Sequence, residues 1–172
     1  RPFRTPLVPL VPILGIAIAY VIVRSKLAGR SILDFLAMLP LAVPGLVLAF
    51  GYLAMSQDGK LFSFLNPVRD PTILLIIAYS VRRLPYVVRS AAAGFEQTSE
   101  TLEEAAQNLG CPPLKSLVKI TLPLIAANLI AGGLLAFAFA MLEVSDSLIL
   151  AQKQIFYPIT KAIMELFQLL GD

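Results

Sequence analysis

The apolar residues of this chain come in long blocks, and lysine or arginine gathers at the block ends. Leu7 to Val23 is nearly uninterrupted apolar sequence, followed at once by Arg24, Lys26 and Arg30. A helix of that length crosses ~30 Å of hydrocarbon at ~1.5 Å per residue. Such blocks leave little room for a soluble fold. The chain is 58% hydrophobic with a mean hydropathy of +0.81, whereas ordinary soluble domains are about 45–50% apolar. The pattern predicts an all-α polytopic membrane bundle with spans at about 7–23, 31–55, 71–88 and 122–142. Basic clusters mark cytoplasmic ends, so the loop 89–121 is expected inside the cell and the polar segment 56–70 outside.

Pro9 and Pro12 fall in the first turns of the first span, where missing amide donors cost least. Pro40, Pro44 and Gly45 lie in the middle of the second. Proline there removes a helical hydrogen bond, and in lipid the freed carbonyl needs a partner from protein or water. A kinked helix inside a bundle is expected, either as a plain kink or as part of a translocation pathway. Arg82 and Arg83 stand in the last third of the third span, near enough to its cytoplasmic end to snorkel or pair. Gly132-Gly133 allows close helix approach in the fourth.

Glu143 and Asp146 follow at the outer end of the fourth span, three residues apart. They read either as a solvated helix end or binding-protein contact, or as a carboxylate pair at the pathway mouth drawing a hard cation by charge and oxygen ligation. From Pro158, residues Ile159, Ala162, Ile163, Leu166, Phe167 and Leu170 share one helical face, with Lys161, Glu165 and Gln168 on the other. This suits an interfacial helix or a partial fifth span. The start at Arg1, without an initiator Met, reads as an internal piece of a longer protein forming one transmembrane domain.

Several chemistries are excluded. With no His and a single Cys, Cys111, Ser-His-Asp and Cys-His catalysis, His-rich metal or haem sites and an internal disulfide are ruled out. No metal or cofactor site is expected. No phosphate-binding G-x-x-x-x-G-K-[ST] run occurs, so any ATP that drives the protein must be bound elsewhere. A net charge of +3 without a basic, aromatic-rich surface argues against nucleic acid.

The polar loop carries the most specific pattern. Glu104-Ala105-Ala106, Gly110, Ile120, Leu122 and Pro123 spell E-A-A-x3-G-x9-I-x-L-P. Thr101-x-x-Glu104 predicts a capping box. Gly110 sits where a left-handed residue would stop the helix, and Pro113 is placed to begin a second one. Taken alone, this is a stable helical hairpin with Glu104 as a cap. Taken together, at these spacings between two apolar blocks, it resembles the EAA loop of type I ABC-importer permeases. Leu39-Pro40-Leu41-Ala42-Val43-Pro44-Gly45 and Leu84-Pro85-Tyr86-Val87-Val88-Arg89 look like further segments of that domain, so the likeness covers nearly the whole chain. It departs at Pro112, where relatives often have a small polar residue, and in lacking the family's final helix.

The resemblance implies a non-enzymatic transport subunit of the bacterial inner membrane with the permease fold, truncated. Glu104, Ala105, Ala106, Gly110, Ile120, Leu122 and Pro123 would couple it to ABC ATPase subunits. A second permease half, a periplasmic substrate-binding protein and membrane lipid are the other implied partners. Pro40, Pro44, Gly45, Glu143 and Asp146 are the candidate pathway residues. The ferric iron branch is most similar, with thiamine, polyamine and aminoethylphosphonate importers beside it. A secondary transporter would need ionisable groups within its spans, and such charge is nearly absent here apart from Arg82 and Arg83 near one end and Asp34 at the start of the second span. A membrane-embedded enzyme lacks a nucleophile–base pair, and a non-transporting scaffold with such a loop is the remaining rival.

Overall fold

The computed structural model describes residues 10–170, and these are all-α with no strand among them. Residues 7–9 of the expected first span, Pro9 included, lie outside the described residues. The helices are α1 (Leu10–Arg24), α2 (Arg30–Ala42), α3 (Gly45–Met55), α4 (Thr72–Gln97), α5 (Thr101–Asn108), α6 (Pro113–Ser116), α7 (Leu122–Leu124), α8 (Ala126–Met141), α9 (Ser145–Leu150) and α10 (Ile159–Leu170).

Three expected boundaries change. The second span is two helices rather than one kinked helix. Pro44 disfavours helical backbone at Val43, adopts φ −56° and ψ 138° itself, and starts α3 by accepting from the amides of Val47 and Leu48. The third helix does not stop at Val88; it runs through Pro85 for 26 residues to Gln97. The fourth block is divided as well. A π-helical turn over Leu117–Thr121 precedes α7, and Ile125 separates α7 from α8. Pro123 has no amide to give the Lys119 carbonyl and its ring crowds that turn, which the wider π geometry relieves.

No single helix among the described residues is long and apolar enough to cross a membrane by itself. Two bent pairs pass together: α2 with α3, and Pro113–Leu124 with α8, the latter bent by 72°.

The chain divides into two compact units. One comprises Pro9–Met38 and Leu84–Phe137. Its core is Ala19, Ala37, Val88, Ala91, Ala92, Phe95 and Ile125, where the many alanines let helices approach closely. Gly132 of α8 lies flush on Ser90 of α4, and the Ser90 hydroxyl donates to the Asn128 carbonyl. The other unit comprises Leu39–Arg83 and Ala138–Asp172, described to residue 170. Leu74, Leu75, Ala78, Leu150 and Ala151 form its core. Asp70 begins α4 by accepting from the Thr72 amide at 2.9 Å; the hydrogen bonds from Thr72 hold its carboxyl below the usual range.

Polarity is inverted relative to a water-soluble domain. Ile13, Phe35, Phe50, Ile130, Phe137 and Phe167 are each more than half exposed, while Glu103, Asp146 and Lys161 are buried. Apolar surface on this scale needs hydrocarbon or a partner against it, and buried charges must be paired.

Candidate functional site

The polar loop folds as the hairpin its turn residues dictate, except at its start. The expected capping box does not form. Glu100 is already helical at φ −63° and ψ −27°, so Thr101 lies inside the helix rather than at its cap. The amides of Glu103 and Glu104 both donate to the Glu100 carbonyl, and the Ser99 hydroxyl accepts from the Thr101 amide at 3.3 Å. The helix end matches expectation. Gly110 takes φ +85°, its amide donates to the Gln107 carbonyl, and the Cys111 amide donates to that of Ala106. This pair of bonds is a Schellman stop, which requires a left-handed residue. Pro113 then opens α6 behind an extended Pro112.

Of the motif residues, Glu104, Ala105, Gly110 and Pro123 are exposed, and Ala106, Ile120 and Leu122 are partly buried. Leu102, Ala105 and Leu109 fall at helical spacing along α5 and are all exposed, Leu109 at 90%. They form an apolar ridge without a covering element among the described residues. The neighbouring Glu103 turns the other way. It is 6% exposed, accepts from the Thr121 hydroxyl at 2.8 Å and lies 3.8 Å from Arg24 Nε. Arg24 also pairs with Glu100 at 3.2 Å and donates to the Thr98 carbonyl at 2.5 Å. Sequence reasoning passed over Glu103 and valued Arg24 only as a topology marker. The signal for both was a second carboxylate beside the motif glutamate, with a basic helix end to receive it.

A second constellation lies in the other unit. Glu143 Oε2 meets Arg82 Nη1 at 3.2 Å and Arg83 Nη2 at 2.8 Å. Asp146 Oδ2 is 3.9 Å from Arg82 Nε. Arg83 also donates to the Phe139 carbonyl at 2.7 Å, and Glu143 Oε1 accepts from the Ser145 amide at 3.0 Å. Gly45, at the start of α3, lies flush against the Arg82 guanidinium, where any Cβ would collide with it. Three of the five expected pathway residues, Gly45, Glu143 and Asp146, thus converge on Arg82. Pro44 is the residue before α3, and Pro40 lies inside α2; neither joins the charge cluster.

Glu143 and Asp146 are 8% and 0% exposed and are matched by two arginines. The arrangement is an internal, formally neutral network, not an open carboxylate pair turned toward a cation. The arginines reach it because α4 continues to Gln97, which places Arg82 and Arg83 in mid-helix instead of near its end. On the polar stripe of α10, Glu165 is partly buried and Gln168 exposed. Lys161 is buried and donates to the carbonyls of Ser147, Leu148 and Ala151 at the end of α9, while Ile163, Leu166, Phe167 and Leu170 are exposed.

These features define a class: all-α units with much exposed apolar surface, buried ion pairs and a polar helical hairpin between apolar segments of the sequence. Residues 12–167 match the binding-protein-dependent transport system inner membrane component, and the chain belongs to that family. It is 34% identical over 137 residues to a ferric transport system permease protein of Actinobacillus pleuropneumoniae, covering 80% of this chain and 19% of that protein. It is 33% identical over 136 residues to a sulfate transport system permease protein of Salmonella typhimurium, covering 76% and 49%. A molybdate/tungstate transport system permease protein of Pyrococcus furiosus is 30% identical over 159 residues, 91% of this chain and 59% of the relative. The chain thus spans between 19% and 59% of these relatives' lengths.

Proposed function

We propose that this chain is the core of a multi-pass permease subunit in the bacterial inner membrane, serving an ATP-driven importer. The observation that carries the reading is the hairpin of α5 and α6, which turns Glu104 and the ridge of Leu102, Ala105 and Leu109 outward from a helix stopped at Gly110. A partner ATPase subunit docking there would bind and hydrolyse the ATP, while the permease performs no bond chemistry. A second permease half and a periplasmic binding protein complete the assembly, with lipid covering the remaining apolar surface. ATP binding shifts the population toward an outward-open bundle through differential contacts at the hairpin.

Ferric iron is the proposed substrate, supported by the ferric permease relatives. The sulfate and molybdate/tungstate relatives support an oxyanion as the second reading. The charge cluster favours neither, since its two arginines and two carboxylates balance.

The test is uptake into vesicles holding the full permease, its ATPase subunits and the cognate binding protein. ATP-dependent uptake of ferric iron, with Glu104→Ala or Gly110→Val lowering both transport and ATPase recruitment while the protein still reaches the membrane, is the expected result. Uptake of sulfate or molybdate without iron would move the substrate and leave the permease reading intact. Normal transport by both variants would reduce the hairpin to a structural element.

A further inference from the structure

We infer that Glu103, rather than the motif carboxylate Glu104, passes movement of the coupling helix into the bundle, through a buried junction with Arg24 and Thr121. This deepens the permease reading and rests on it. The two adjacent carboxylates face opposite ways: Glu104 is exposed and Glu103 is buried. One oxygen of Glu103, Oε1, serves two separate segments. The Thr121 hydroxyl donates to it at 2.8 Å from the π-helical turn that leads into α7 and α8. Arg24 Nε stands 3.8 Å from the same atom at the last residue of α1.

Both partners are withdrawn from water. Thr121 is fully buried and the Arg24 side chain is 8% exposed, so this contact escapes the screening that weakens surface pairs. The Arg24–Glu100 pair, with Glu100 59% exposed, is a surface contact by comparison. Arg24 is fixed further by the Thr98 carbonyl and lies 6.0 Å over the Phe95 ring, while Tyr20 meets Phe95 edge-on at 5.7 Å. Displacing α5 therefore pulls on α1 and on the segment before α8 through one carboxylate. Arg24 Nε carries no hydrogen bond, so the Glu103 contact has room to tighten when α5 shifts. Coupling through such a junction requires two arrangements that both sites bias. Here the second arrangement would be one in which Oε1 shifts from its short Thr121 bond toward the longer Arg24 contact. Glu103, Arg24 and Thr121 are positioning residues, whereas Glu104 meets the partner.

The experiment uses the full-length permease with its ATPase subunits in nanodiscs. A Cys111→Ser background carries a reporter cysteine at Leu142, which is 74% exposed. Two quantities are read: co-purification of the ATPase subunits, and the change in maleimide labelling of the reporter on adding ATP and vanadate. Glu103→Gln keeps the side-chain shape and removes the charge; Thr121→Val keeps the shape and removes the donor. Each is expected to leave co-purification intact and to shrink the nucleotide-driven labelling change at least about fivefold, the lower end of allosteric couplings. Glu104→Gln should instead reduce co-purification. The relay is overturned if both Glu103→Gln and Thr121→Val respond like the parent, or if Glu103→Gln loses the ATPase as Glu104→Gln does. A parent that binds its ATPases without any labelling response also overturns it. A parent that recruits no ATPase overturns the permease reading itself.

Discussion

Glu143→Ala should be among the most destabilising substitutions in the chain. Its carboxylate receives Arg82 at 3.2 Å, Arg83 at 2.8 Å and the Ser145 amide at 3.0 Å. The three side chains of the ion pairs are 8–13% exposed. Removing one member of a buried pair costs about 3–5 kcal/mol because the other is left charged and unmatched. Here two guanidinium groups lose their shared partner. Arg83 keeps only the Phe139 carbonyl in this cluster, and Arg82 keeps Asp146 at 3.9 Å. The loss should fall within that range. Glu143→Gln retains an acceptor and should cost less, about 1–3 kcal/mol. Replacing Arg83 and Glu143 together by leucine removes one charge of each sign, so the double variant should be more stable than Glu143→Ala. Reversible denaturation of the full chain in mixed micelles, followed by loss of helicity, measures all three. If Glu143→Ala loses less than about 1 kcal/mol, the worth of an exposed pair, the buried-network reasoning is refuted.

Other expectations rest on separate contacts. Gly132→Val drives a side chain into Ser90 and should cost about 1–3 kcal/mol by overpacking, whereas the adjacent Gly133, with nothing within 4 Å, should accept valine nearly unchanged; equal losses would contradict this packing. Lys161→Met removes the donor to three carbonyls at the end of α9, and amide exchange across 145–151 should accelerate; unchanged protection would show that the lysine does not hold α9. On a Cys111→Ser background, a cysteine at Ser63 should label from outside intact cells and one at Gln107 should not, and the reverse would invert the proposed topology.

The hairpin was legible because its signals are local. Gly110 stops a helix through its own backbone freedom, and Pro113 starts one through its own fixed φ, so neither needs distant context. The capping box failed for an equally local reason. Thr101 and Glu104 have the right spacing, but Glu100 entered the helical region one residue sooner and moved the cap off Thr101. Spacing identifies residues able to cap; it does not decide which of Ser99, Glu100 and Thr101 the chain leaves outside the first turn. The break at Pro44 followed the same local logic, since Val43 cannot easily remain helical before proline.

The charge cluster was hidden because its pairing is long-range and its helix boundary was misplaced. Glu143 and Arg82 are 61 residues apart, and a span ending at Val88 puts Arg82 and Arg83 where they could snorkel out alone. Pro85 does not end the helix, since one lost amide is tolerable inside a bundle that can satisfy the freed carbonyl. Once α4 runs to Gln97, the same arginines stand in mid-helix and need buried carboxylates, which Glu143 and Asp146 supply. The last helix shows the complementary inversion. A soluble-domain reading sends Lys161 to water and the Ile163, Leu166 and Phe167 face inward. Where the surroundings are apolar, the preference reverses: the ammonium must find partners inside, and the carbonyls left over at the end of α9 are such partners. Amphipathic spacing therefore groups the residues of α10, but the medium outside favours burying Lys161 while Ile163, Leu166 and Phe167 stay exposed.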